Sequence, residues 1–389
     1  MIYEDSNRLF DVVIVGAGPA GSSCAIRLAL AGLRVLLVEK HKFPREKLCG
    51  EFISPECLRH FWELGITPQA MVSAGADIVE TVFYSKRGKG VSFKSKWFGL
   101  DDQSALGLSR ARMDNVLMVR AKEVGVEVRE ETSVGEFVFD VNEVWKIELK
   151  RDGQTSQVNS RLLIDATGRT RILGRRFEKT ARKAPAKFVA FKTHLEGAQL
   201  AANACEIYSY NGGYGGCSQV EDGLLNICFI AETEIVKQFG GDGGLLMREV
   251  VCRNRRAAHA LRDAEPVKPW LAVPISKFGR AELVPANGLL TIGDAAAFID
   301  PFTGSGILLA LESARIASKA IIEGFTDRFD REKIAADYQA NYLKAFERRL
   351  RICSLLRNAA FSPSIAEPAI SLLNISGQFR RFIARSTRG

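Results

Sequence analysis

The residues best suited to chemistry stand at the front of the chain. From Asp11 to Lys40 it reads DVVIVGAGPAGSSCAIRLALAGLRVLLVEK: an apolar run, a glycine turn, a helix-forming stretch, a second apolar run and an acid. Gly16 permits the tight turn, Gly18 lets the backbone approach a pyrophosphate, and Gly21 lets the helix pack closely on the strand. A helix opened by Pro19 and Ala20 aims free N–H groups and its positive dipole end at the phosphates, and proline suits that first turn. Glu39 follows Gly21 by 18 positions, with Lys40 beside it. A carboxylate there accepts hydrogen bonds from a ribose 2′-OH and repels a 2′-phosphate. Two apolar strands with the acid in register make this a dinucleotide site.

A later segment selects the dinucleotide. From Asn287 the chain reads NGLLTIGDAAAFIDPFTGSGILLALESARIASKAI. Leu289 to Ile292 reads as a strand, Gly293-Asp294 as its sharp end, and Gly306 onward as an amphipathic helix. An aspartate at that strand end can bind a ribityl hydroxyl, which only a flavin offers. Pro301, Gly304, Ser305 and Gly306 bare backbone N–H groups before the helix, where they stabilise the negative charge of a reduced flavin. The cofactor expected is FAD.

Between these segments, Leu162 to Ile164 form a short apolar strand ending in Asp165-Ala166-Thr167-Gly168. After the second strand, in HKFPREKLCGEFISPE, Lys42, Arg45 and Lys47 crowd beside the phosphate turn, and Arg45 is placed to meet the pyrophosphate or adenosine. Cys49 is either a polarizable neighbour or proton donor at the reacting carbon, its pKa lowered by cations, or a small packing residue. Glu51 is either a general acid or a hydrogen-bond anchor for its loop. The histidines (41, 60, 194, 259) are scattered, without a metal-binding or serine-elbow pattern, and read as surface or satisfied polar residues. No metal site is expected.

The trio GAGPAG, DATG and GDAAAFIDPFTGSG, in that order over nearly the whole chain, resembles the flavoprotein superfamily of geranylgeranyl reductases, aromatic hydroxylases and flavin-dependent halogenases. The resemblance implies an α/β (α+β) fold like para-hydroxybenzoate hydroxylase: a Rossmann-type FAD-binding domain, a β-sheet substrate domain and a C-terminal helical segment. It also implies that Arg110, in SRARMDNVL, reaches the flavin with Asp114 as helix neighbour. Cys49-Gly50-Glu51 resembles the C-G motif of the reductases and the G-E segment of the halogenases, which run beside the flavin. Tyr214 stands where the reductases place a substrate-contacting tyrosine, although their following tryptophan, phenylalanine and proline have no counterpart. Phe298, Pro301 and Ser305-Gly306 approximate a halogenase motif, whose W-x-W-x-I-P element is only echoed by Trp270 to Ile275. Aromatic hydroxylases show Asp-Gly and a serine, linked to pyridine-nucleotide handling, where this chain has Asp165 to Arg169.

The function implied is that of an FAD-dependent oxidoreductase acting on a hydrophobic, isoprenoid- or polyketide-like substrate, with NAD(P)H as donor. A monooxygenase, hydroxylase or halogenase of the same fold is the alternative, and a non-catalytic FAD-binding module the third reading. A separate flavin reductase is a further partner to consider.

The surrounding elements must hold these groups. A chain of 389 residues, 47% hydrophobic and 25% charged, is long enough for two interlocked domains and a terminal appendage. The expected division is 1–77, 106–180 and 280–326 for FAD binding, 78–105 and 181–279 for a substrate sheet, and 327–389 for terminal helices. Strand-like alternation surrounds KRGKG between 78 and 93, and residues 126–153 read as a three-stranded meander. KFVAFKTHL, ACEIYSY and GLLNICFIAE read as strands separated by glycine turns.

Eight cysteines show no zinc spacing, and a net charge of +9 comes without any nucleic-acid signature. No apolar run reaches the roughly 18 residues of a membrane span, and no signal peptide precedes the first strand. The location expected is cytoplasmic. The basic end, with Arg348, Arg349, Arg351, Arg357, Arg380, Arg381, Arg385 and Arg388, reads either as a solvated helix face or as a peripheral membrane contact.

Overall fold

The computed structural model describes residues 8–72, 75–98, 103–178, 185–276, 278–298, 304–326, 328–360 and 363–386. Alternation builds the first layer. In the strand Leu9–Val15, Val12 and Ile14 turn to one face and Val13 and Val15 to the other, all buried. A strand covered on both faces reads as an unbroken apolar run. It pairs in parallel with Val35–Val38 and with the carboxyl half of Gln154–Asp165, while Leu289–Thr291 pairs in parallel beyond that half. The registers align Val38, Val15, Asp165 and Thr291 at one edge. The glycine turn, Glu39, the Asp165 loop and the Asp294 loop therefore meet in one crevice, the place where open α/β sheets bind ligands.

Helices Pro19–Leu30 and Gly306–Phe325 pack together over one face of this sheet. Phe137, Trp145, Ile147 and Leu149 fill the other. The expected meander over 126–153 is displaced by one strand. Glu127–Arg129 pairs in parallel with Val35–Val38, and the antiparallel run is Ser133–Phe139, Trp145–Arg151 and Gln154–Asp165. Alternation identifies a strand but not its partner, and Glu131, at φ +55°, turns the chain between the two.

The second layer is an eight-stranded sheet. Its order is Glu265–Pro266, Phe188–Glu196, Leu225–Glu232, Gly213–Gln219, Ala204–Tyr210, Glu80–Tyr84 and Gly90–Lys94, with Leu271–Ile275 also paired to Phe188–Glu196. Gly213–Gln219 is a strand where the sequence suggested only glycine turns. Its glycines serve packing: a Cβ on Gly213 would lie 2.0 Å from the Ile230 carbonyl oxygen, and one on Gly215 2.7 Å from Phe229 Cβ.

The chain ends in helices Arg331–Ala360, Pro363–Ile375 and Gly377–Ser386. Tyr338, Tyr342 and Phe346, four residues apart, bury one stripe of the first against the core. Among the described residues, no helix is long and apolar enough to cross a membrane.

Candidate functional site

The crevice opens into a cavity of about 690 Å³ that reaches from the glycine turn to the second sheet. Gly16 (φ +103°) has no room for a side chain, because a Cβ there would lie 2.4 Å from the Ala166 carbonyl oxygen. Gly21 is equally tight, its Cβ falling 1.8 Å from the Gly16 carbonyl oxygen, so it packs behind the cavity rather than lining it. Gly18 differs: a Cβ would meet only Arg110 Nη2 at 3.6 Å, and its backbone stays open to a ligand. Pro19 and Ala20, in the first helical turn, line the same wall.

Glu39 closes this turn from the neighbouring strand. Ala17 N donates to Glu39 Oε2 at 3.0 Å and His41 N donates to Oε1 at 3.1 Å. A carboxylate accepts about four bonds, so lone pairs remain for a ribose. Lys40 lines the cavity beside it.

Asp114 organises the cations. It is fully buried and accepts Arg110 Nε at 2.9 Å, Arg110 Nη2 at 2.7 Å and Arg45 Nη1 at 3.1 Å. Burial pulls the Arg110 guanidinium down, but the Asp114 carboxylate more than offsets this, and its pKa is raised. Arg45 also reaches Glu39 Oε2 at 3.4 Å. Opposite, Gly293 (φ +61°) turns the chain so that its N–H donates to Ser313 Oγ at 2.9 Å and Asp294 faces the cavity. Burial pushes the Asp294 carboxyl up, against the pull of Arg110, Arg169 and Lys47. Gly304 and Gly306 line the cavity at the mouth of the 306–325 helix, whereas Ser305 is buried away from it; Pro301 lies outside the described residues.

This arrangement is a dinucleotide cradle joined to a second cation and acid group, and the family follows from it. The FAD binding domain family matches residues 10–341. The chain belongs to this FAD-binding family. Digeranylgeranylglycerophospholipid reductase 2 of Methanopyrus kandleri is 28% identical over 348 residues, which cover 87% of this chain and 82% of that protein. Two solved structures share the fold. A geranylgeranyl bacteriochlorophyll reductase-like protein of Thermoplasma acidophilum has a TM-score of 0.79 at 18% identity, covering 97% of this chain and 96% of that one. The myxobacterial chondrochloren halogenase has a TM-score of 0.79 at 23% identity, covering 91% and 82%. The enzyme is thus an FAD-dependent oxidoreductase with the mixed α/β architecture implied by its sequence.

The residues fit FAD. The open backbone at Gly18 and the helix start at Pro19 would take the pyrophosphate, Glu39 the adenosine ribose, Asp294 the ribityl chain, and the 304–306 helix mouth the isoalloxazine. Lys47 also stands in this cavity. Burial first, then Arg45 and Arg110, push its ammonium down to about 8. An incoming pyrophosphate favours the charged form, so binding FAD to the apoprotein near pH 8 is expected to take up protons. As the pH rises above 8, affinity falls because the free protein must first bind that proton. Calorimetry in two buffers of different ionisation heat will read the uptake, and Lys47→Met should abolish it. Equal heats in both buffers would overturn the linkage.

Beyond the cradle lies a charge cluster that sequence reasoning did not assemble. Glu51 is fully buried with φ +54°. Its Oε1 accepts Arg110 N at 2.9 Å and Lys192 Nζ at 2.8 Å, and its Oε2 lies 2.6 Å from His194 Nε2. Lys192 Nζ also donates to Glu46 Oε2 at 2.9 Å. Burial pulls the Lys192 ammonium down, yet Glu51 and Glu46 together raise it. Glu46, Glu51 and His194 are close enough to share a metal ion, but the Lys192 ammonium already lies between the two carboxylates. The visible signal was Lys192 and His194, two positions apart and so on one face of the strand Phe188–Glu196. His194, read as surface or satisfied, is an interior partner of Glu51.

Cys49 lies in the cavity wall in front of this cluster, and Glu51 N donates to its Sγ at 3.4 Å. The expectation of a lowered thiol pKa is reversed. Burial pushes it up, and Arg110 and the Glu51 N–H offset only part of this. Across the cavity, Tyr214, Ala190, Ile230 and Ile275 form an apolar cluster with Phe298 packed against it. The Arg169 guanidinium sits 5.5 Å from the Phe298 ring.

Proposed function

We propose that this flavoenzyme reduces a carbon–carbon double bond of an apolar, isoprenoid- or polyketide-like substrate, with NAD(P)H as electron donor. The observation that carries this reading is the far end of the cavity. There Phe83, Val91 and Phe93 of the second sheet pack with Ile370, Leu373 and Ile383 of the terminal helices, and all six line the cavity. Such a lining recognises a hydrocarbon by shape and water exclusion. The likeness to a digeranylgeranylglycerophospholipid reductase supports the same substrate class.

Gly18, Glu39 and Asp294 would hold the FAD, whose chemistry here would be to pass a hydride from a nicotinamide to one alkene carbon. The other carbon needs a proton. Cys49 is suited to hold it at Sγ, because its raised pKa keeps the thiol protonated at neutral pH. Glu51, tied to Arg110 N, Lys192 and His194, acts as the anchor that fixes the 49–51 turn rather than as the acid. Tyr214, 5% exposed and on the cavity wall, would contact the substrate chain from the second sheet.

The test is anaerobic turnover of a geranylgeranyl lipid with NADPH and the FAD-loaded enzyme, read by mass spectrometry. Product carrying one added H₂ per reduced bond is expected without oxygen. Product formed only when oxygen is admitted, and carrying an oxygen atom, overturns the reading in favour of a monooxygenase. Cys49→Ser is expected to slow turnover by about 10²–10⁴-fold while keeping its FAD.

A further inference from the structure

The last two helices have two apolar sides. Toward the interior, Ile370, Leu373, Ile383 and Ala384 pack on Val91 and Phe93 and line the cavity. Polar ties fix the pair to the second sheet: Asn374 Nδ2 donates to the Gly90 carbonyl at 3.0 Å, Lys89 Nζ to Ser371 Oγ at 2.8 Å, and Arg380 Nη1 to the Ser92 carbonyl at 3.2 Å. Toward the outside, Leu372 is 58% exposed, Phe379 42% and Phe382 63%. Burying these three would remove a considerable apolar area from water.

The charge around them is predominantly positive. Residues 363–389 contain four arginines and one acid, Glu367, whose Oε1 accepts Arg87 N at 3.4 Å. Arg381 is exposed, and the turn packed beside the helices adds Lys86, Arg87 and Lys89. A short amphipathic helix with phenylalanines outward and cations at its flanks matches an interface rich in anionic lipid. A second copy fits poorly, because a two-fold contact would set this cationic patch against itself.

We propose that the outer face of helices Pro363–Ile375 and Gly377–Ser386 docks on the surface of an anionic lipid bilayer, with Phe379, Phe382 and Leu372 entering the headgroup region. The wall that meets the bilayer is then also the wall of the apolar cavity. A substrate dissolved in lipid has only one helix layer to pass. Docking is read without turnover, so its failure leaves the reaction proposed above untouched, and the converse also holds.

The experiment is sedimentation of the full-length, FAD-loaded protein with vesicles of phosphatidylcholine alone or mixed with phosphatidylglycerol. Binding to the mixed vesicles, weakened by salt and roughly tenfold or more weaker for F379S/F382S, is the expected result. Retained FAD and an unchanged melting temperature show that this variant is folded, and Trp62→Ser, which removes a ring 70% exposed outside the patch, should bind as wild type. Three outcomes overturn the proposal: no binding to mixed vesicles, equal binding by F379S/F382S, or self-association in lipid-free solution that F379S/F382S abolishes, which would assign the face to a second copy.

Discussion

Asp114→Ala protein is expected to lose several kcal/mol of stability and to be recovered without flavin. The carboxylate is fully buried and makes three hydrogen bonds to two guanidinium groups. Arg110 is 9% exposed and the Arg45 side chain 10%, so water cannot replace the lost partner. Removing one member of a buried ionic group costs about 3–5 kcal/mol, because the remaining charges stay buried and here also repel each other. Against a total stability of about 5–15 kcal/mol, that is a large share. The same loss would release Arg45 and Arg110 from the wall that faces Gly18, so the cofactor site fails with the fold. Asp114→Asn keeps an acceptor but not the charge, and should fall between the two. Urea midpoints and visible flavin absorption will check the order, and a wild-type midpoint for the alanine variant would sink it.

The phosphate turn is legible because its causes are local: Gly16, Gly18, Gly21 and Glu39 are bound by spacing along one strand, turn, helix and strand. Asp294 is legible for the same reason, as the polar end of an apolar strand. The cluster of Glu51, Lys192, His194 and Glu46 is not, because it joins residues 46 and 51 to a strand some 140 positions later, and only sheet order decides that they meet. Glu127–Arg129 was misplaced because alternation carries no information about which edge is vacant. Gly213–Gln219 was missed because glycine signals both turns and strands under a crowded layer, and only the approach of Ile230 and Phe229 separates the cases. For the terminal helices the amphipathic pattern was visible. That one side of them forms cavity wall was not.

Asp294→Ala is expected to purify as apoprotein. In the free protein this carboxylate is costly, since burial disfavours its charge and the cations around it recover only part of that cost. Ribityl hydroxyls would supply the missing donors, and a hydrogen bond to a charged group contributes about 1.5–3 kcal/mol, or roughly ten- to a hundredfold in affinity. An opposing effect has to be weighed. Deleting a negative charge beside Arg110, Arg169 and Lys47 strengthens their pull on a pyrophosphate. That pull acts over a longer distance and weakens with salt, whereas the hydroxyl contact is short and screened little. The two are therefore separable by ionic strength. The alanine variant should lose FAD most completely at high salt, and Asp294→Asn, which keeps an acceptor and drops the charge, should retain more at low salt. Stoichiometric FAD on Asp294→Ala after gel filtration at high salt would show that the strand-end aspartate does not hold the cofactor.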